Sequence, residues 1–241
     1  MAVPIGHLDD VTLRAVRTLG NVDLIASENP SMTQHLLMHH GIQATVTSYG
    51  PENVMEKAAV LLHRLQLGHD VALVSDCGAP LVADPGHFLV SAAHTHGIAV
   101  VPVPGPSAII AALTAAGFPC ESFYFLGHLP STASGISQLL IDALNRKGPT
   151  VVFCRAAMVV RLLKTLSGIS PRSSVAIAFD LTKPTERIIR GTVYDVRERL
   201  DAVQRGEVTV VLAGKDDTPL NTRRAVRIQS LSSRRIKTRK A

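Results

Sequence analysis

The alternation of short apolar runs with longer stretches of helical periodicity is the sequence feature that most constrains the fold of this chain. The apolar runs that predict strands are residues 22–26, 70–74, 99–103, 150–153, 174–179 and 207–212. The segments with a repeat near 3.6 residues that predict helices are residues 12–19, 31–39, 53–67, 86–96, 106–116, 137–145, 157–166 and 193–203. Because the two kinds of segment alternate, we predict an α/β fold whose parallel or mixed sheets are covered by helices.

A change of pattern near Gly117 predicts a domain boundary. The stretch from Gly117 to Ser122 interrupts the alternation, and a new strand at residues 123–125 opens a second series. We therefore predict an N-terminal α/β domain over 1–117, a C-terminal α/β domain over 118–216 and a tail over 217–241. The first apolar run, residues 1–3, is too short for a central strand, so we expect either a late start site or a truncated sheet edge.

Composition narrows the class of protein. With 46% apolar and 18% charged residues, most of the chain should fold. The three cysteines are widely spaced and lie beside apolar runs, so we expect neither disulfides nor a metal site. No apolar run approaches the roughly 20 residues that cross a bilayer, and no signal peptide is evident at the N-terminus. We therefore expect a cytoplasmic protein without a membrane partner.

Three segments rich in glycine and proline, residues 3–8, 75–86 and 103–108, each follow an apolar run. Open α/β sheets bind ligands at the ends of their strands. Glycine allows a backbone to approach a ligand closely, and proline fixes the shape of a loop before binding. The sequence contains neither the Gly-x-Gly-x-x-Gly dinucleotide fingerprint nor the phosphate loop Gly-x-x-x-x-Gly-Lys-Ser/Thr. Rigid loops of small residues favour a flat adenosine group over a nucleotide triphosphate or NAD.

Together these segments resemble the tetrapyrrole (uroporphyrin-III C/corrin) methylase superfamily. The resemblance covers about residues 1–214, and the middle segment, Ser-Asp-Cys-Gly-Ala-Pro running into Asp-Pro-Gly, is its most specific motif. Within the superfamily, the motifs are most similar to the branch that 2′-O-methylates a cytidine of small-subunit ribosomal RNA. Asp180-Leu181-Thr182-Lys183 fits the same branch.

The resemblance implies two α/β domains that hold S-adenosylmethionine in the cleft between them, usually in a homodimer. The matching positions that it assigns to the cofactor site are Pro4, Gly6, Asp76, Gly78, Ala79, Pro80, Asp84, Pro104, Gly105, Ser107, Ala108, Phe153 and Cys154. The last two would close the site from the second domain. For Asp76 and Asp84, an alternative is that they cap turns or the start of the helix near Gly86.

The chain departs from that branch where the RNA surface is expected. The segments 27–31, 48–54, 130–132 and 155–159 have lost most of the branch's basic, acidic and histidine residues. Phosphate contacts supply much of the affinity for RNA, so the loss of basic residues should weaken binding. Aromatic residues, which can stack on unpaired bases, make up only 4% of the chain. The sequence therefore keeps the motifs of the cofactor loops but has changed the residues expected at the substrate surface.

Methyl transfer from a sulfonium needs alignment of acceptor and methyl group and requires no metal. A base that accepts the hydroxyl proton would accelerate it by about 10²-fold or more. Glu28 and Lys183 are the candidate catalytic residues, because each follows an apolar run within a shared motif. A salt bridge is the alternative role for both. His7, in the first loop, is a weaker candidate for substrate contact.

Three functions remain open from the sequence. The first is ribose methylation of ribosomal RNA, with the small ribosomal subunit as partner. The second is methylation of a tetrapyrrole or another small molecule, which the weak RNA surface favours. The third is a diverged, non-catalytic module that keeps the fold as a scaffold, since one architecture hosts many activities.

Positive charge is concentrated at the C-terminus. Eight of the 25 Lys and Arg residues but only one of the 19 acidic residues follow Asp216. Residues 1–216 thus keep 17 basic and 18 acidic residues, a net charge of −1, and the tail carries +7. We expect a disordered tail that is either solvated or in contact with nucleic acid.

Truncation after Asp216 should leave the melting temperature nearly unchanged and weaken RNA binding, because the tail carries the whole positive excess. The plot of the logarithm of the binding constant against the logarithm of salt concentration should become shallower, since fewer counterions are released. Filter binding to an RNA fragment over a salt series measures this slope. A slope that does not change would exclude the tail from RNA contact.

Overall fold

The computed structural model describes residues 1–84, 86–200 and 205–215, and the predicted basic tail lies outside these ranges. The chain forms two compact units. The first contains the described residues of Met1–Ala108 together with Thr182–Pro184, and the second contains Ile109–Leu181 and the described residues from Thr185 onwards. No helix in the described ranges is long and apolar enough to span a bilayer.

The first unit is built on a small parallel sheet. Its elements are a 3-10 helix (Leu8–Asp10), α1 (Leu13–Asn21), β1 (Leu24–Ser27), α2 (Pro30–His39), β2 (Val46–Ser48), α3 (Val54–Gln66), β3 (Val71–Val74) and α4 (His87–Thr95). The strand order is β2-β1-β3, and both pairs are parallel. The central strand β1 therefore has a neighbour on each side, and the carboxyl ends of all three strands lie at one edge.

Local sequence explains where helices of the first unit begin. Thr12 precedes α1 and its hydroxyl accepts a hydrogen bond from Ala15 N (3.1 Å). Asn29 precedes α2, and its side chain accepts from Met32 N (3.3 Å), while Pro30 occupies the first helical turn, where no N–H is needed. The apolar faces of these helices pack with the sheet: Leu19, Ile25 and Val74 are almost fully buried in one cluster.

The second unit contains a mixed five-stranded sheet. Its elements after α5 (Ala108–Ala116), which begins at the boundary, are β4 (Tyr124–His128), α6 (Ala133–Asn145), β5 (Thr150–Arg155), α7 (Ala156–Ile169), β6 (Ser174–Phe179), β7 (Arg187–Thr192), α8 (Val193–Arg199) and β8 (Glu207–Leu212). The order is β4-β5-β8-β6-β7; β4 and β5 are parallel and the other pairs are antiparallel. The core lies where α6, α7 and α8 pack with this sheet, around Leu140, Leu162 and Ile177, each with no exposed surface.

The predicted α/β class is confirmed, with one parallel and one mixed sheet. The predicted strand over residues 99–103 is wrong: this segment forms no regular strand, Val101 is 72% exposed, and Pro102 has no N–H to donate to a sheet. The sequence analysis also missed β2 and β7. The first has only three residues, and the second is an edge strand that contains the polar residues Arg187, Arg190 and Thr192.

Replacing Leu162 by Ala should lower the free energy of unfolding by about 2–5 kcal/mol, because Leu162 on α7 has no exposed surface and its truncation leaves a cavity in the second unit. Val160 on the same helix is 57% exposed, so Val160→Ala should change this free energy by no more than about 0.5 kcal/mol. Urea denaturation followed by circular dichroism measures both. Equal losses would contradict the packing of α7.

Candidate functional site

Residues that follow the three strands of the first unit gather at one edge of its sheet. Glu28 comes directly after β1, and its N–H donates to the carbonyl of Val74 at the end of β3 (3.4 Å). On the other side, Tyr49 N donates to the carbonyl of Ser27 (2.7 Å). The backbone therefore fixes Glu28 between the chain segments that leave β2 and β3, as the parallel topology requires.

The three Gly/Pro segments are joined by backbone hydrogen bonds. Val3 and Gly78 form a reciprocal pair, with Val3 N donating to Gly78 O (2.9 Å) and Gly78 N donating to Val3 O (3.0 Å). Ala2 N donates to Val103 O (3.0 Å). The first segment thus lies between the other two. Only the middle segment follows a strand: Val3 makes an isolated bridge, and Val103 ends no strand, so the expectation that all three do is corrected.

Close packing of these loops explains their small residues. Gly78 is buried, has a φ of +70°, and a Cβ there would lie 3.5 Å from Cγ2 of Ile5 and 3.8 Å from the carbonyl oxygen of Pro106. A Cβ on Gly105 would lie 3.1 Å from the Cβ of Ala2. The left-handed backbone and the limited space favour glycine at position 78.

The structure places most of the predicted cofactor residues on these joined loops. The residues of the first unit on the loops are Pro4, Gly6, Asp76, Gly78, Ala79, Pro80, Asp84, Pro104, Gly105, Ser107 and Ala108. Pro4 and Gly78 are buried, whereas Asp76, Pro104 and Gly105 are exposed. A scaffold of buried backbone with small groups at its surface fits a flat adenosine group, because the backbone can approach it closely.

Glu28 has an unusual electrostatic environment. Burial, followed by the negative charges of Asp84 and Asp76, raises the pKa of its carboxyl group above the usual value, although a backbone hydrogen bond from Asp76 opposes the shift. Its Oε2 is buried and lacks a hydrogen-bond partner among residues 1–84, 86–200 and 205–215. Both charges that act on Glu28 are acidic, which does not fit the salt-bridge alternative. A carboxylate of raised pKa is a better proton acceptor than an ordinary one.

Lys183 belongs to the first unit although it lies far along the chain. Its neighbour Thr182 has a left-handed backbone (φ +63°), and the Thr182 hydroxyl accepts a hydrogen bond from His7 N (2.9 Å). This bond brings the half-buried Lys183 next to the first loop. The imidazole Nδ1 of His7 accepts from Asp9 N (3.3 Å) and caps the 3-10 helix. His7 therefore has a local structural role, and Lys183 stays a predicted catalytic residue.

Phe153 and Cys154 lie on β5 of the second unit. Burial raises the pKa of the Cys154 thiol to about 12, and its Sγ donates to the carbonyl of Arg155 (3.2 Å). The ring of Phe153 packs edge to face on that of Phe125, with centroids 4.8 Å apart. A neutral thiol and an aromatic edge suit an apolar contact. Their assignment to the cofactor stays a prediction.

Several residues that depart from the RNA-modifying branch support local structure. Asn29 caps α2, as described above, and Thr132 caps α6 by accepting from Gly135 N (3.2 Å). Asn53, which the branch shares, links the turn after β2: its side chain accepts from Gly50 N (3.0 Å) and donates to Ser48 Oγ (2.9 Å). Sequence reasoning missed these roles, although an Asn-Pro pair before a helix is a usable start signal.

Comparison with known proteins shows which family the chain belongs to. Residues 2–197 match the profile of the tetrapyrrole (corrin/porphyrin) methylases. A relative from Mesorhizobium japonicum, named ribosomal RNA small subunit methyltransferase I, is 39% identical over 228 residues, covering 91% of this chain and 76% of its own. A relative of the same name from Escherichia coli O157:H7 is 38% identical, covering 92% and 81%.

A solved structure has the same fold. The uroporphyrin-III C-methyltransferase of Thermus thermophilus, complexed with S-adenyl homocysteine, superposes with a TM-score of 0.55 at 18% identity, covering 86% of this chain and 93% of its own. At that identity the likeness shows the fold alone. With the family profile, it confirms the resemblance inferred from the loop motifs.

Gly78→Leu should abolish binding of S-adenosylmethionine, because added bulk at this buried position must displace the first or third loop. Gly97→Leu is the matched control: Gly97 also has a left-handed backbone (φ +68°), but a Cβ there has no heavy atom within 4 Å. Both variants incur the backbone cost of about 1–2 kcal/mol, and displacement of a loop adds to the loss of melting temperature in Gly78→Leu. Isothermal titration calorimetry should show binding only in Gly97→Leu and the wild type. Binding in both variants would disprove the loop assignment.

Proposed function

Because the chain belongs to the tetrapyrrole (corrin/porphyrin) methylase family, we propose that it methylates the 2′-hydroxyl of a cytidine in small-subunit ribosomal RNA. One observation carries the choice of acceptor. The curated relatives that match about nine-tenths of this chain at 38–39% identity are named ribosomal RNA small subunit methyltransferase I. The chain is an S-adenosylmethionine-dependent methyltransferase.

The loops of the first unit would hold the methyl donor. Gly78, Ala79 and Pro80 form the middle loop, and Ser107 and Ala108 end the third. When bound, the cofactor supplies an electrophilic methyl group on a sulfonium. The backbone bonds between Val3 and Gly78 fix the loop shape before binding, so less conformational freedom is lost when the ligand arrives.

Glu28 would act as the proton acceptor. The bound cofactor would supply the methyl group to the ribose oxygen, and a carboxylate oxygen of Glu28 would accept the proton that the ribose hydroxyl gives up. The raised pKa of Glu28 supports this role, since an acceptor of higher pKa takes the proton more readily. Glu28 accepts a proton only when its carboxyl group is ionised, so the rate should fall as the pH drops through its raised pKa.

A ribosomal acceptor has consequences for charge and location. Residues 1–216 have almost no net charge, so contacts with RNA phosphates would come from the basic tail or from local basic patches. The proposal includes a cytoplasmic protein, since that is where ribosomal RNA is modified, and a homodimer, as the family resemblance implies. Light scattering of the purified protein tests the dimer.

Methylation of a small molecule is the second candidate. The net charge of −1 over residues 1–216 favours it, because RNA enzymes usually present a basic surface. Mass spectrometry of ribosomal RNA from a deletion strain separates the two. Loss of one ribose methyl, restored by the wild-type gene, supports the RNA acceptor. Fully methylated RNA together with activity of the purified protein on a tetrapyrrole extract would replace it.

Glu28→Gln should lower kcat/KM for small ribosomal subunits by about 10²-fold while leaving cofactor affinity within about twofold, because the amide cannot accept the proton. In the wild type, log kcat/KM should rise with pH through the raised pKa of Glu28. Asp84→Asn should shift this rise in log kcat/KM to lower pH, because removing the negative charge of Asp84 lowers the pKa of Glu28. Methyl incorporation from labelled S-adenosylmethionine measures the rates.

Glu121→Gln is the control variant, because Glu121 is an exposed carboxylate of the second unit. Its kcat/KM and its pH profile should match those of the wild type. A Glu28→Gln enzyme that keeps the full rate and an unchanged pH profile would exclude Glu28 as the base.

A further inference from the structure

Three side chains capable of binding a metal converge on one surface of the first unit. The carboxylate of Asp9 and the imidazoles of His39 and His40 each offer one ligand atom, and these atoms lie within 4.8 Å of one another. Nε2 of His39 is 2.9 Å from Oδ1 of Asp9. The rings of His39 and His40 meet edge to face, with centroids 4.7 Å apart.

Two structural elements hold this cluster in place. Asp9 lies within the 3-10 helix Leu8–Asp10, which follows the first Gly/Pro segment. His39 is the last residue of α2, and His40 is its C-cap, with a backbone N–H that donates to Leu36 O. Nε2 of His40 also lies 3.3 Å from Leu8 O, close to the 3-10 helix. The ligand atoms therefore come from well-defined backbone rather than from a mobile terminus.

The chemistry of the donors selects the kind of ion. Two imidazoles and a carboxylate suit zinc and its neighbours nickel and copper, whereas magnesium and calcium prefer oxygen ligands alone. A tetrahedral zinc ion with bonds of about 2.0–2.1 Å holds its ligand atoms about 3.3 Å apart. The present atoms, all within 4.8 Å of one another, would have to move closer to reach that separation.

We propose that Asp9, His39 and His40 form a surface site for a divalent transition metal of the zinc type, which fastens the 3-10 helix after the first loop to the C-terminal end of α2. This site is separate from the methyl transfer and does not depend on it. The ion replaces the hydrogen bond between Asp9 and His39 with stronger bonds. The cluster lies outside the expectations from sequence, because Asp9 and His39 are thirty residues apart and no cysteine is involved.

Binding of zinc to tag-free protein, measured by competition with a chromophoric chelator, tests the proposal. We expect one equivalent per chain. Asp9→Asn, His39→Ala and His40→Ala should each weaken it by at least about tenfold, since even outer-sphere partners of a metal contribute 10–100-fold to affinity. Cobalt should give the intense visible absorption of a tetrahedral site, and this absorption should be lost in the same variants. No binding by the wild type at micromolar zinc would overturn the proposal.

Control variants exclude other surface ligands. His94→Ala changes an exposed histidine on α4 and should leave zinc affinity unchanged. Cys77→Ser and Cys120→Ser remove the exposed thiols and should also have no effect. His35 lies one turn before His39 on α2, where two histidines can chelate an ion without Asp9. If His35→Ala abolishes binding while Asp9→Asn does not, the ion binds to the helix alone and the proposed site is wrong. Thermal melting without zinc confirms that each variant folds.

Discussion

The candidate site depends on the reciprocal backbone pair between Val3 and Gly78. These two hydrogen bonds fasten the start of the chain to the loop after β3, and the bond from Ala2 N to Val103 O attaches the third loop to the same segment. The side chains of Val3 and Val103 are buried in apolar clusters, and Gly78 supplies a left-handed backbone. The arrangement can therefore persist while other side chains change, as long as the glycine, the buried valines and the backbone geometry are kept.

The sequence predicted the fold class because it is expressed in local patterns, and the cofactor loops stay a prediction that rests on patterns of the same kind. Alternating apolar runs and helical segments indicate α/β structure regardless of where each residue finally lies. The errors have a common cause. Ala99, Val100 and Val101 are apolar but exposed, so composition suggested a strand that the surroundings do not support. β7 has polar residues and forms only because β6 supplies its partners along six residue pairs. Such long-range pairing has no local signal.

The environment of Glu28 could not be predicted for the same reason. Its place after an apolar run was visible, but the charges that act on it come from Asp76 and Asp84, about fifty residues away. Thr182 reaches the first loop from a still greater distance. Sequence reasoning identified candidate residues one by one, whereas the raised pKa and the buried oxygen of Glu28 arise only when three chain segments meet. The raised pKa of Glu28 thus depends on how the first unit folds.

The departures from the RNA-modifying branch need a second explanation beside altered substrate recognition. Asn29 and Thr132 cap helices, and Met158 packs against the core of the second unit. A side chain occupied in this way has a reason to be retained that is independent of RNA. The absence of the branch's residues at these positions therefore weakens the inference that RNA binding is lost. Arg155, which is exposed at the start of α7, is a departure that makes no side-chain cap at this helix start. A permanent cation at that position favours an anionic acceptor, and a ribosomal RNA phosphate is one.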